Sequence, residues 1–276
     1  MTPAVVALVL FAALLHAGWN TLLRGGTDRL WTMSVMNLAV GGLGLAVALA
    51  VGLPAAASWP YAVASGLIHI AYNALLIVTY RTGDLGQTYP IARGASPALV
   101  ALGAGVFASE VPGTVGAVGI ALVSGGILSL SLGKAGLSRG TVLAALGTAA
   151  TIAAYTLIDG IGVRLSGDWV AYTAAMFTFH LAFPLWLLLT RGPAALGGTP
   201  AALTRAVGGG AASLMAYAAV IWAMRLGAMG PVSALRETSV VFAALLGRFV
   251  LKERLTAGRI AACLVIAAGA AMIGHG

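Results

Sequence analysis

Ten apolar runs follow one another along this chain, each near the roughly 20 residues an α-helix needs to cross a bilayer. They lie approximately at Pro3–Leu23, Leu30–Val51, Trp59–Tyr80, Gly86–Ala108, Gly113–Leu132, Thr141–Val163, Trp169–Thr190, Arg205–Arg225, Met229–Val250 and Ala257–Ile273. Lipid offers the backbone no hydrogen bonds, so each run is predicted as a helix that satisfies its own backbone. The connections are short. The longest, Arg191–Thr204, is rich in Gly and Pro and is predicted outside the bilayer. With 60% hydrophobic and 8% charged residues, no soluble domain of this size fits. The first run has no basic stretch before it and carries His16, Trp19 and Asn20, so it reads as a retained helix rather than a signal peptide.

The net charge of +8 does not point to nucleic acid, because the basic residues lie between apolar spans, as positive-inside bias requires. The single cysteine, Cys263, sits in an apolar run and reads as a small core residue. No phosphate loop, zinc-binding His-Glu helix or Ser-His-Asp spacing is present. Neither a cofactor, a metal nor a catalytic residue is therefore expected.

Arg81–Glu110 places Arg93 between Pro90 and Pro97 inside the fourth run. A charge there costs about 2.5–3.5 kcal/mol or more, and prolines free backbone carbonyls, so this stretch is expected to face protein or a polar pathway. A weaker copy, Arg225–Glu253, lies half a chain later. Arg81 aligns with Arg225, Gly83 with Gly227, Gly86 with Gly230, and Arg93 falls opposite Glu237; after a one-residue slip Glu110 meets Glu253. Paired interrupted helices mark transporter sites. The repeat divides the chain into residues 1–133 and 139–276, joined by 134–138. Five spans per half force the second copy to enter from the opposite side. The fold class expected is an all-α integral membrane protein of ten transmembrane helices in two inverted five-helix repeats.

Polar side chains gather on single helix faces. They are His16, Trp19 and Asn20 on the first helix, His69, Tyr72 and Asn73 on the third, and Tyr89, Arg93 and Ser96 on the fourth. The sixth has Thr151, Tyr155 and Asp159, the eighth Ser213, Tyr217 and Trp222, the ninth Ser233, Arg236 and Glu237. The candidate substrate-binding residues are His16, Trp19, Asn20, Tyr72, Asn73, Tyr89, Arg93, Tyr155, Asp159, Tyr217, Arg236 and Glu237. Each has a plainer role open to it: Asn20 and Asn73 as helix–helix glue, the histidines and tyrosines as packing, Asp159 as a solvated end residue. Arg93 and Glu237 each lie roughly 12 Å inside the bilayer from opposite faces, which leaves an axial gap of about 6 Å and allows a static ion pair. Small residues at four-residue spacing, Ala121 and Gly125 on the fifth helix and Gly258 and Ala262 on the tenth, permit tight packing in the bundle or a dimer face.

The motifs HAGWNTLLR (His16–Arg24), YPIARGASP (Tyr89–Pro97), YTLIDGIGVR (Tyr155–Arg164) and LKERLTAGR (Leu251–Arg259) resemble the ten-helix EamA-type members of the drug/metabolite transporter superfamily. The ERLT stretch has only a degraded counterpart, SEVPG, in the first half. The resemblance implies an inverted-repeat bundle whose helices 1, 3, 4, 6, 8 and 9 line a central cavity, with 5 and 10 behind. His180, on helix 7, is then expected outside that cavity. Such proteins export amino acids, related metabolites or drugs, as facilitators or proton-coupled antiporters.

The expectation is an inner-membrane exporter of a small zwitterionic or anionic metabolite, such as an amino acid, working by alternating access. Arginines would meet a carboxylate; Glu237 would bind an amine or carry a proton. The alternatives are proton-coupled efflux of organic cations and, less well supported, an enzyme acting on lipid-linked phosphate. The expected partners are a small-molecule substrate and the lipid bilayer, with protons as an open coupling ion, no nucleic acid, and a monomer or weak homodimer. Of 15 Lys and Arg, all but Arg93 and Arg236 lie outside the deep sites. Arg24, Arg29, Arg81, Lys134, Arg139, Arg191, Arg205, Arg248, Lys252, Arg254 and Arg259 belong to odd-numbered loops, against Arg164 and Arg225 on the other side. That bias predicts both termini outside, although EamA-type members more usually keep them in the cytoplasm.

Overall fold

The structure is a computed structural model that describes residues 1–23, 28–82, 85–131, 139–250 and 252–275. Arg24, Gly83, Lys134 and the connection 134–138 lie outside the described residues. Among the described residues every regular element is a helix: α1 (Pro3–Leu23), α2 (Arg29–Val51), α3 (Trp59–Thr82), α4 (Leu85–Phe107), α5 (Thr114–Ser129), α6 (Arg139–Leu165), α7 (Trp169–Thr178), α8 (Ala182–Arg191), α9 (Pro200–Leu226), α10 (Met229–Arg236), α11 (Ser239–Phe249) and α12 (Ala257–His275). Eight segments are long and apolar enough to cross a membrane, counting α7 with α8 and α10 with α11 as one each. The long α3 and the shorter, apolar α5 complete ten. The protein is therefore an all-helical, multi-pass membrane protein.

Two predicted spans are interrupted. The seventh breaks into a 3₁₀ turn at Phe179–Leu181. Pro184 explains it: proline has no N–H for the His180 carbonyl four residues back, and its ring would collide there. The ninth breaks after Arg236, where Glu237 N–H and Thr238 N–H close back only three residues, onto Ala234 O and Leu235 O at 3.1 Å each. The Thr238 hydroxyl adds a bond to Leu235 O at 2.7 Å. The eighth predicted span starts five residues early, at Pro200, behind a Thr199 cap that accepts from Ala202 N–H. The fifth ends at Ser129 rather than Leu132.

Packing follows size. α5 lies against α12 through Gly119 and Gly269; a Cβ on either would stand 2.7–2.8 Å from the other's carbonyl oxygen. Of the residues at four-residue spacing, Gly125 and Gly258 face open space, whereas Ala262 lies in the contact, its carbonyl 3.3 Å from where a Cβ on Gly126 would stand. Several of the remaining neighbours come in exchanged pairs. α1 packs on α9 as α6 packs on α3, and α4 packs on α6 as α1 packs on α10 and α11. Among the described residues two non-glycine residues have positive φ, Ser109 (55°) and Lys252 (56°). Each is followed by a residue whose N–H turns back six residues, Glu110 to Ala104 O and Glu253 to Gly247 O, both at 3.0 Å.

Candidate functional site: a buried charge cluster and an aromatic wall

Pro97 cannot donate to the Arg93 carbonyl, so α4 carries an unpaired acceptor at its charged residue. The Ser96 hydroxyl donates to it at 3.2 Å. This local patch lets α4 keep its helical course and hold Arg93 inside, with its side chain 6% exposed. From the opposite half, the turn between α10 and α11 presents Glu237, whose side chain is fully buried.

Arg93 Nε lies 2.6 Å from Glu237 Oε2. The N–H is not aligned on that oxygen as a hydrogen bond, so the contact is an ion pair. Arg236 reaches the other oxygen, Oε1, with Nε at 3.3 Å and Nη2 at 3.2 Å. One carboxylate thus serves two guanidiniums, which stay charged in proteins. The Arg93 guanidinium also sits 5.8 Å from the Tyr89 ring centroid, and its Nη2 is 3.5 Å from His16 Nε2. Trp19 meets His16 edge-on at 5.3 Å.

An aromatic wall adjoins this cluster. His69 stacks on Tyr155 at 4.1 Å, and Tyr155 touches Tyr217 and Tyr72 edge-on at 5.7 and 5.8 Å. His180, from the seventh span, joins the wall at 5.3 Å from His69. His180 lies within the turn Phe179–Leu181, and its Nδ1 reaches Asn37 Oδ1 on α2 at 2.6 Å.

Asp159 is 0% exposed, so it is not a solvated end residue. Tyr172 donates to its Oδ1 at 3.0 Å and Tyr217 to its Oδ2 at 2.6 Å. Gly162 makes room: a Cβ there would stand 2.5 Å from the Tyr172 hydroxyl. Asn73 Nδ2 donates to Asn37 Oδ1 at 3.3 Å and joins α3 to α2, the helix–helix role open to it. Asn20 instead donates to the carbonyl of His16 on its own helix at 2.8 Å. Trp222 stacks on Trp169 at 5.3 Å and is 39% exposed, away from the cluster.

Asn37 and Tyr172 were absent from the sequence-derived set. A polar residue inside an otherwise apolar run was the available signal for Asn37. Tyr172 had none, since its partner lies on another helix. Among the described residues no three or more His, Cys, Asp or Glu come together as a metal site.

At one end of the bundle Glu110 pairs with Arg164 and accepts from Met229 N–H at 2.8 Å, capping α10. Arg164 donates to Met224 O at 3.0 Å and Gly227 O at 2.8 Å, at the end of α9. A cavity of about 420 Å³ opens beside them, bordered also by Arg225 and Pro231.

Residues 139–274 match the EamA-like transporter family. A solved crystal structure superposes with a TM-score of 0.79 over 99% of this chain and 96% of its own, at 18% identity, which speaks to fold alone. No curated protein sequence matches the chain. The ten helices and the family match carried by the second half make this chain a membrane transporter of the EamA-like family, within the drug/metabolite transporter superfamily.

Proposed function

We propose that the chain moves a small zwitterionic or anionic metabolite, such as an amino acid, out of the cell across an inner membrane by alternating access. One observation carries this reading: two buried arginines, Arg93 and Arg236, share the single carboxylate of Glu237. In direct contact the cluster holds two guanidiniums and one carboxylate, since the second buried carboxylate, Asp159, is taken by two tyrosine hydroxyls, and an incompletely paired charge in a low-dielectric interior is costly. A substrate carboxylate compensates it. An organic cation would add to it, and the carboxylates of Glu237 and Asp159 already face donors. That counts against the cation-efflux alternative.

We infer two inverted repeats, 1–133 and 139–276. The exchanged helix neighbours and the matched turns at Ser109 and Lys252 support them. Reconstitution in proteoliposomes with labelled amino acids is the test. Saturable flux that Arg93→Met abolishes supports the reading; phosphate release from lipid-linked phosphates without solute flux sinks it. An imposed pH gradient that drives uphill flux adds proton coupling, and flux indifferent to the gradient leaves a facilitator. For orientation, the loop charges favour both termini outside. C-terminal fusions decide this: alkaline phosphatase active and a fluorescent protein dark is the expected result, and the reverse overturns it.

A further inference from the structure

We propose that His180 Nε2 receives the ammonium group of the transported zwitterion, in a subsite separate from the arginines. The inference rests on the transporter reading above and adds where the second charge of the substrate binds.

The tautomer follows from the hydrogen bonds. Asn37 Nδ2 lies 2.7 Å from Met33 O, a carbonyl that can only accept, so this end of the amide is the donor. Asn37 Oδ1 must then face Asn73 Nδ2 at 3.3 Å and His180 Nδ1 at 2.6 Å. An amide oxygen only accepts, so His180 Nδ1 carries the proton and the neutral ring offers a lone pair at Nε2. That nitrogen is buried and has no hydrogen-bond partner in the protein. Its ring is held by His69 at 5.3 Å and Phe177 at 5.5 Å.

The neighbouring acceptors are committed. Glu237 faces two arginines, and each Asp159 oxygen holds a tyrosine hydroxyl. The buried, unpartnered lone pair at His180 Nε2 is the acceptor assigned to the ammonium; His69, whose Nδ1 faces Ser65 O at 3.0 Å, sets a second ring nitrogen beside it. The far end of the cluster has the opposite polarity. Trp19 Nε1, which can only donate, is also buried without a partner, on the helix that brings His16 to Arg93. A donor orphan beside the arginines and an acceptor orphan beyond Tyr155 suit a molecule with an anionic and an ammonium end. The His69–Tyr155 stack lies between as an apolar surface.

The experiment is calorimetric binding to the purified full chain in nanodiscs. The probes are the proteinogenic L-amino acids and their des-amino carboxylic acids. A site built to hydrogen-bond a group rejects the analogue that lacks it, so the best amino acid should bind about tenfold or more tighter than its des-amino partner. His180→Phe keeps an aromatic ring and should collapse that ratio to about unity; His180→Gln, which restores an acceptor, should recover part of it. If wild-type protein binds both classes equally, the subsite is overturned while the transporter reading stands. If it binds neither, the amino-acid reading falls and the subsite with it. A ratio that survives His180→Phe also overturns the subsite, and a wild-type ratio of unity overturns it even where neither variant folds.

Discussion

The interior cluster of Arg93, Arg236 and Glu237 and the end pair of Glu110 and Arg164 use the same groups to different ends. At the end of the bundle the side chains are partly exposed, 19% for Glu110 and 31% for Arg164. There the pair ties backbone ends together: the carboxylate caps α10, and the guanidinium takes carbonyls at the end of α9. Structure accounts for it. In the interior the contacts do not pair one to one, since two arginines meet the one carboxylate of Glu237 while the buried Asp159 is held by Tyr172 and Tyr217. A packed apolar trio would often be as stable as a buried ionic one. The unbalanced cluster is where a substrate is expected; the balanced pair is a fastening.

Breaking each place in turn separates the two roles. Glu237→Gln leaves two buried guanidiniums without a counter-charge, the costliest kind of change. A loss of about 3–5 kcal/mol is expected, with little folded protein recovered from detergent. Arg93→Met instead leaves Arg236 and Glu237 balanced. It should melt near the wild type and carry no flux. Equal melting temperatures for the two variants would mean that the carboxylate is not what offsets the arginines.

At the end pair the effect should be smaller. Glu110→Gln removes a partly exposed charge but keeps an acceptor for Met229 N–H. A loss of about 0.2–1 kcal/mol is expected, fading as salt is raised. Flux should persist. Loss of flux in a stable Glu110→Gln protein would move this pair from fastening to pathway.

How far the sequence shows this contrast differs residue by residue. Arg93 and Glu237 were legible because a charge inside an apolar run is too costly to be incidental, and depth alone placed them within reach of each other. Run length gave the ten spans. It did not give their breaks, because hydropathy is blind to a missing N–H; Pro184 was the sign in the seventh span. Asp159 looked solvated because it sits near a span end. Its burial depends on Tyr172, which reaches it from α7 over Gly162, a contact no local pattern encodes.

The smallest effect tests whether the two ends of the bundle are built alike. Ser109 and Lys252 hold φ near +55°, where a side chain crowds the following carbonyl and glycine does not. Both are exposed, and each positions the glutamate that follows. Glycine relieves the crowding but adds freedom to the unfolded chain, so the two effects partly cancel. Ser109→Gly and Lys252→Gly should each stabilise the protein by about 0.5 kcal/mol, and by similar amounts, because the turns share φ and the same six-residue closure. Thermal melts of the two single variants and the double are the measurement. Additive, matching shifts support a common turn in both halves. A gain at one site with a loss at the other would mean that the halves end their fourth and ninth spans differently, and the case for matched repeats would then rest on helix neighbours alone.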